Sequence, residues 1–303
     1  MRDITHVRYI AYGVTDMARA AEFYERLWGL EVTGKDRDLV FLGGAGPDQY
    51  LVRLRSTGTK QTDLVALGAR DARAVDRLAQ KLGSAGVKLV SEPGKLQTPG
   101  GGYGFRCFDP DGRLIEISSD VAERGFRPAN PGEWRPLRIS HVVLNTPDLD
   151  KAGKFYTDLL GFRISDYLED RMVFLQCQVD HHSIAVAHAP HATVNHVAFE
   201  LRGIDELMKG TGHLKSAAGL EPIWGPGRHG AGNNVFSYFV GPDRFVCEYT
   251  CELDQILDEE KWPPKIWSTV PSDYWGVGKQ IGPDVWQALT GEPEPSLWKP
   301  APV

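Results

Sequence analysis

Hydrophobic and polar residues alternate along much of the chain in the pattern of half-buried strands. The segments RMVFLQC around Phe174 and SIAVAHA around Val186 show this alternation. Between such segments lie short amphipathic stretches that begin after ThrAsp or ProAsp and end at a glycine, Gly29 or Gly161, as capped helices do. The pattern predicts an α+β fold.

The predicted elements recur as a repeat. The segment YIAYGVTDMARAAEFYERLWGLEV, which begins at Tyr9, matches HVVLNTPDLDKAGKFYTDLLGFRI, which begins at His141, position for position. Downstream, VNHVAFELRGIDELMKGTGHLKSAAGL resembles TDLVALGARDARAVDRLAQKLGSAGV, again with a strand, a helix and a glycine stop. Because each segment predicts a strand and a helix followed by further strands, we expect four βαβββ units, two in each of two domains.

The repeat also sets the expected domain boundaries. We predict an N-terminal domain over residues 1–123, a linker rich in proline, glycine and charge over 124–136, and a second domain over 137–252. Residues 253–303 form a tail with five of the eight tryptophans and little periodicity. Such a segment cannot fold alone, so we expect it to pack on the domains or on a neighbouring subunit. It is either a belt without a functional role or a segment that shapes the substrate entrance.

Composition narrows the list of partners. The 303 residues have a net charge of −6 and no basic block, so neither nucleic acid nor an anionic membrane is an expected partner. The four cysteines form no CxxC pair, which favours reduced thiols. The sequence has no apolar leader at its start and no apolar run long enough to cross a bilayer. We therefore expect a cytoplasmic protein.

Three residues of the second domain lie at matched points of the repeat. His141 and His196 each open the first strand of a unit, and Glu248 lies on the final strand. Two neutral imidazoles and one carboxylate on neighbouring strands form the facial triad that non-haem Fe(II) prefers, with open positions for substrate and O2. The sequence thus predicts a metal site with these three ligands.

The first domain serves as an internal control for this prediction. Its position matched to His141 is Tyr9, and the region matched to His196, residues 62–65, has no histidine. Only Glu116 matches the carboxylate ligand. We therefore expect one domain to bind metal and the other to bind none.

A segment near the end of the second domain is the most specific motif. In GPGRHGAGNNVFSYFVGPDRFVCEYT, residues 225–250, His229 lies nineteen residues and Tyr238 ten residues before Glu248. With the repeat and the adjacent pair His181 and His182, this resembles the two-domain type I extradiol dioxygenases of the vicinal oxygen chelate superfamily. That group includes the catechol, dihydroxybiphenyl and homoprotocatechuate enzymes.

The resemblance implies both fold and activity. It implies open, barrel-like mixed sheets, Fe(II) as the metal with Mn(II) as the alternative, no other cofactor, and a homo-oligomer. It also implies a catecholic substrate that reacts with O2 and opens beside its diol to a muconic semialdehyde-type product. By the same resemblance His182 is the catalytic acid and base, His229 hydrogen-bonds substrate or bound oxygen, and Tyr238 contacts a substrate hydroxyl as an acid or to orient it.

The same fold hosts other chemistries, so alternatives remain at this point. One is an enzyme similar to 4-hydroxyphenylpyruvate dioxygenase, which also uses two histidines and a glutamate but takes a keto acid. A second is a glyoxalase-like metalloenzyme, which usually has more carboxylate ligands. A third is a metal-free binding protein of the same fold.

Overall fold

The computed structural model describes residues 2–278 and 280–301. The predicted domain 1–123 and the predicted tail 253–303 therefore include four positions, 1, 279, 302 and 303, that lie outside the described residues. Within the described part, two large sheets account for most of the chain, and five α-helices pack against them or connect their strands. No helix of this part has the length and apolar character needed to cross a bilayer.

The first domain contains two βαβββ units. The first unit consists of β1 (Ile4–Val14), α1 (Met17–Glu22), β2 (Glu31–Asp36), β3 (Leu39–Gly43) and β4 (Val52–Ser56). The second consists of β5 (Gln61–Ala69), α2 (Ala72–Ser84), β6 (Leu89–Lys95), β7 (Tyr103–Phe108) and β8 (Leu114–Ser119). They form one eight-stranded sheet in the order β2-β3-β4-β1-β5-β8-β7-β6.

The second domain repeats this arrangement. Its first unit is β9 (Ile139–Thr146), α3 (Leu149–Lys154), β10 (Arg163–Leu168), β11 (Met172–Gln176) and β12 (Ile184–His188). Its second is β13 (Thr193–Glu200), α4 (Ile204–Ala218), β14 (Trp224–Arg228), β15 (Val235–Val240) and β16 (Val246–Cys251). The order β14-β15-β16-β13-β9-β12-β11-β10 matches that of the first sheet, and the predicted fold is confirmed.

Local sequence explains the matched helix starts and ends. The side chains of Asp16 and Asp148 cap α1 and α3 by accepting hydrogen bonds from amides three residues later. Each helix continues into a π-helical turn, over Phe23–Leu27 and Phe155–Leu159. The chain then reverses at Gly29 and Gly161, whose φ angles of 85° and 77° favour glycine. The predicted caps and glycine stops are confirmed.

The two domains share one continuous apolar core. Trp28 of the first domain is fully buried and stacks on Tyr249 of the second, with ring centroids 3.8 Å apart. The Tyr249 hydroxyl donates a hydrogen bond to the Trp28 carbonyl oxygen. Trp134 of the linker donates to the same hydroxyl from its ring nitrogen. The sheets are therefore held in a fixed relation by packed aromatic rings.

The tail contacts both domains. A short strand, β17 (Lys265–Trp267), adds to the edge of the second sheet in parallel with β10. Helix α5 (Pro283–Thr290) packs on β13, and a short 3₁₀ turn lies at Glu259–Lys261. Near the end, the ring of Trp298 lies against Phe108 of the first domain. All four cysteines are buried and free.

Candidate metal centre and active site

Three ligand-type side chains converge at the centre of the second sheet. His141 on β9, His196 on β13 and Glu248 on β16 lie on three adjacent strands. Ala198 is the register partner of both His141 and Glu248, and His196 lies two residues before it, so all four side chains point to one face. The small side chain of Ala198 leaves space for the three larger ones to meet.

The geometry of this group suits a bound cation. The Nε2 atoms of His141 and His196 each lie 3.2 Å from Oε2 of Glu248. That oxygen is buried and accepts no hydrogen bond of acceptable geometry from the described residues. Ligand atoms at right angles around a metal, each about 2.1 Å from it, stand about 3 Å apart. The structure thus brings the three predicted ligands together, and their donor set fits a divalent metal ion.

Electrostatics prepares the same group for a cation. Burial opposes ionisation of Glu248, but the two histidines outweigh it and hold the pKa of this carboxyl well below its usual range. Burial lowers the pKa of His196, although Glu248 opposes that shift. At neutral pH the site therefore presents a carboxylate and neutral imidazole nitrogen, the forms that bind metal.

Neighbouring polar residues orient the ligands. Asn234 donates a hydrogen bond to Oε1 of Glu248, the oxygen that faces away from the histidines. The Nδ1 atom of His196 lies 2.7 Å from the side-chain oxygen of Asn195. Such contacts fix the ring orientation and the tautomer of a ligand histidine. Sequence reasoning missed both asparagines; the only signal was that Asn195 directly precedes a predicted ligand.

The three predicted catalytic residues line the open side of this group. The ring of His182 lies 4.3 Å, between centroids, from that of His141. The Tyr238 hydroxyl lies 3.1 Å from Nε2 of His229 and 3.5 Å from Nε2 of His196. Tyr238 is the register partner of Glu248 on the adjacent strand, which accounts for its position beside the carboxylate.

Burial also sets the protonation of these three residues. It lowers the pKa of His182 well below its usual value, and the surrounding imidazoles lower it further. Burial lowers the pKa of His229 to about 4, although Glu248 opposes the shift. Burial raises the pKa of Tyr238 well above its usual value, and Glu248 adds to the effect. The site thus combines neutral imidazoles with a phenol that keeps its proton.

A cavity of about 630 Å³ opens over the group. This volume lies in the range of small-molecule sites. The part of its lining that comes from the second domain includes apolar and aromatic side chains. The part that comes from the tail includes Val270, Ile281, Trp286 and Leu289. The tail thus lines the cavity, as one of the two roles considered for it requires. Which of its residues do so could not be predicted, because the segment lacks periodicity.

The remaining histidines lie elsewhere or at the margin. His188 is exposed at the mouth of the cavity, and His191 bonds the Gly291 carbonyl oxygen. His213 packs on Trp134, and His6 lies 3.4 Å from Asp48. None of these four joins the converging group.

Comparison with known proteins decides the family. The model of the Glyoxalase/Bleomycin resistance protein/Dioxygenase superfamily matches residues 5–117 and 138–249. The chain belongs to this superfamily. Metapyrocatechase 2 of Cupriavidus necator is 32% identical to it, over 69% of this chain and 68% of that protein. Biphenyl-2,3-diol 1,2-dioxygenase of Paraburkholderia xenovorans is 30% identical, over 67% and 74%. The resemblance to extradiol dioxygenases is thus confirmed.

One similar solved structure is named for a different activity than the dioxygenases above. The Mn(II)-bound glyoxalase from Novosphingobium aromaticivorans is 42% identical to this chain and covers 99% of it, with 98% of that protein matched and a TM-score of 0.92. The match extends over the tail as well as both domains, because almost the whole of each chain is included.

Proposed function

We propose that this protein is an extradiol dioxygenase that opens a catecholic ring beside its two hydroxyls. The observation that carries the proposal is the arrangement around the converging group: three ligand atoms on one side, and His182, His229 and Tyr238 on the side that faces the cavity. Ring cleavage of a diol requires a metal with open positions and groups that can move protons beside it.

The proposed ligands are His141, His196 and Glu248, and the proposed metal is Fe(II). Two histidines and one carboxylate leave several positions of a six-coordinate ion open. When bound, the ion supplies Lewis acidity toward the diol and holds substrate and O2 in one place. Mn(II) accepts the same ligands, and the similar glyoxalase structure contains it. Activity is therefore tested with each of the two ions.

The protein groups would handle the protons and orient the ring. His182 is neutral and can accept a proton from a substrate hydroxyl, then return it to the opening product. Tyr238 retains its proton and can donate a hydrogen bond to a substrate oxygen. His229 lies beside Tyr238 and can accept from it. The apolar wall of the cavity would contact the face and substituents of the aromatic ring.

A glyoxalase-type isomerase is the second candidate, because of the 42% identity to the manganese-bound glyoxalase. Two features favour the dioxygenase. In the described part of the chain, no fourth histidine, cysteine or carboxylate joins the three converging ligands. The cavity also presents His182, His229 and Tyr238 beside those ligands. A metal-free binding protein would need no converging ligands, and a keto-acid dioxygenase would need no such set of proton-handling residues.

The test is O2 consumption by protein loaded anaerobically with Fe(II) or, separately, with Mn(II). The substrates form a panel from catechol through alkyl-, carboxyalkyl- and aryl-substituted catechols. We expect one O2 per ring and a yellow ring-opened product. A parallel assay follows isomerisation of the hemithioacetal of methylglyoxal and glutathione. Isomerisation without O2 uptake on any diol contradicts the proposal and establishes the second candidate.

We further propose that the protein acts in the cytoplasm as a homo-oligomer. The four cysteines are buried and free, as is usual in a reducing compartment. Size-exclusion chromatography with light scattering tests the oligomeric state, and a mass of one chain at assay concentration contradicts this part of the proposal.

A further inference from the structure

His182 is connected to a buried carboxylate through its neighbour in sequence. Its Nδ1 atom lies 2.9 Å from Nδ1 of His181, and Nε2 of His181 lies 3.0 Å from Oδ2 of Asp166. His181 and Asp166 are fully buried, whereas His182 lines the cavity. Among the described residues Nε2 of His182 has no hydrogen-bond partner, so the three residues form a line that ends at the substrate space.

The tail holds the carboxylate at the far end of this line. The backbone amide of Lys265 donates to Oδ1 of Asp166, at 2.8 Å. The ring nitrogen of Trp267 donates to Oδ2, at 2.6 Å. Burial raises the pKa of Asp166, but hydrogen bonds from His181, Lys265 and Trp267 outweigh it and hold this pKa below its usual value. Asp166 is therefore a carboxylate with three donors around it.

The hydrogen bonds fix where each proton lies. A carboxylate only accepts, so His181 carries a proton on Nε2. A neutral imidazole with its proton on Nε2 accepts at Nδ1. With both imidazoles neutral, the short contact between the two Nδ1 atoms requires that His182 donates from Nδ1. Its remaining nitrogen, Nε2, is left with a free electron pair toward the cavity.

We infer that Asp166 and His181 are positioning residues that hold His182 in the tautomer with Nε2 free to accept a substrate proton. The inference deepens the proposed function and rests on it, because it concerns the proton acceptor of the same site. The proton balance closes within the chain: a hydroxyl proton moves to Nε2 of His182, and the resulting cation continues to donate from Nδ1 to His181. The Asp166 carboxylate, one imidazole away, stabilises that cation.

The arrangement also assigns the tail strand β17 a role beyond packing. Its tryptophan ring donates to the same Asp166 oxygen that His181 contacts, and its backbone amide donates to the other oxygen. A tail that only covered the edge of the sheet would need neither contact.

Two variants of His181 separate positioning from simple packing. His181→Phe keeps a ring but removes every nitrogen. His181→Asn keeps an acceptor oxygen at the position of Nδ1, since both atoms are bonded to the same side-chain carbon. Both variants lose the hydrogen bond to Asp166, so they are matched in that respect. We expect kcat to fall by about 10²-fold in His181→Phe and by no more than about threefold in His181→Asn, with KM and bound metal unchanged. Equal losses, or no loss, overturn the inference.

A measurement independent of turnover decides the tautomer. Protein labelled with 15N-histidine and loaded with diamagnetic Zn(II) shows whether each ring nitrogen is protonated, and comparison with His182→Phe assigns the signals of that ring. We expect His182 to be protonated on Nδ1 in the native protein, and to lose this preference in His181→Phe. A native His182 protonated on Nε2 overturns the inference even where O2 uptake is normal. The expected tautomer without O2 uptake on any diol refutes the proposed function alone. If His181→Phe does not fold, the native spectrum still decides.

Discussion

The two domains use the same four positions of the fold differently. In the second domain these positions hold the three converging ligand-type side chains and a tyrosine, whereas in the first they include a buried ion pair. In the second domain these positions are His141, His196, Tyr238 and Glu248. In the first, the strand registers match them with Tyr9, Leu64, Arg106 and Glu116. An alanine on the middle strand lies at the centre of each group, Ala198 on β13 and Ala66 on β5.

The buried carboxylate of the first domain has all its partners inside the protein. Arg106 donates from Nε and Nη2 to one oxygen of Glu116, at 3.0 and 2.8 Å. The Tyr9 hydroxyl donates to the other oxygen at 2.9 Å. Glu248 instead keeps one oxygen without a hydrogen bond. A buried carboxylate at this point of the sheet needs a positive partner, and the comparison teaches that a guanidinium or a metal ion can fill that role.

The largest expected effect comes from removing one ligand. His196→Ala should leave the protein without bound metal and lower turnover of a catechol by at least about 10³-fold, since a metal contributes several kcal/mol to such reactions. Metal analysis of the purified protein and O2 uptake measure both outcomes. Leu64→Ala, at the matched position of the first domain, is the control and should retain metal. Metal retained by His196→Ala contradicts the ligand assignment.

The second prediction concerns the ion pair of the first domain. Arg106→Ala removes the guanidinium that donates two hydrogen bonds to the buried Glu116 and leaves, among the described residues, only Arg8, 3.9 Å from the other oxygen, so the free energy of unfolding should fall by about 3 kcal/mol. Urea unfolding of the metal-loaded protein measures this loss. The double variant Arg106→Met with Glu116→Gln removes both charges and should recover part of the stability. A single variant as stable as the native protein would show that the guanidinium is not needed as a counterion.

The third prediction is the response to metal removal. Chelation should lower stability by about 2.7 kcal/mol when free metal had been present at a hundred times its dissociation constant. The loss of stability should be confined to the second domain. Hydrogen exchange should accelerate in the ligand strands β9, β13 and β16, while the matched strands β1, β5 and β8 keep their protection. Equal acceleration in both sheets contradicts the division of roles between the domains.

The smallest expected effect separates two hydroxyls. Tyr9→Phe removes a hydrogen bond to a buried carboxylate and should cost about 1.5 kcal/mol of stability without changing kcat. Tyr238→Phe should cost less stability but lower kcat, because its hydroxyl faces the cavity. Urea unfolding and steady-state kinetics on both variants test the pair. A lower kcat in Tyr9→Phe with an unchanged kcat in Tyr238→Phe would contradict this prediction.

The repeat made much of this structure predictable. A helix capped by Asp16 or Asp148 and stopped by a glycine is a local device, visible in a short stretch of sequence. The two copies then aligned His141 with Tyr9, and this comparison singled out the histidine as functional. The structure brings the predicted ligands together because they lie on neighbouring strands of one duplicated sheet.

Other parts of the site depend on contacts between distant segments that no motif marks. Asp166, His181 and Trp267 come from three separate stretches and meet only in the folded chain. Arg106 stands at the position matched to Tyr238, yet nothing in its immediate sequence shows that its guanidinium turns toward Glu116. The cavity lining supplied by the tail was not predictable for the same reason. Its residues are positioned by the sheet that they cover, and they show no periodic pattern of their own.

The long-range contacts of the tail also bear on the order of assembly. The hydrogen bond from Lys265 to Asp166 closes a loop of about one hundred residues, and the one from Ser296 to Thr62 spans 234. Loops of this length form late in folding, after the locally connected strands. We therefore expect the ligand strands to assemble while their metal site is still open to solvent, so that the ion can enter before the tail closes the wall above it.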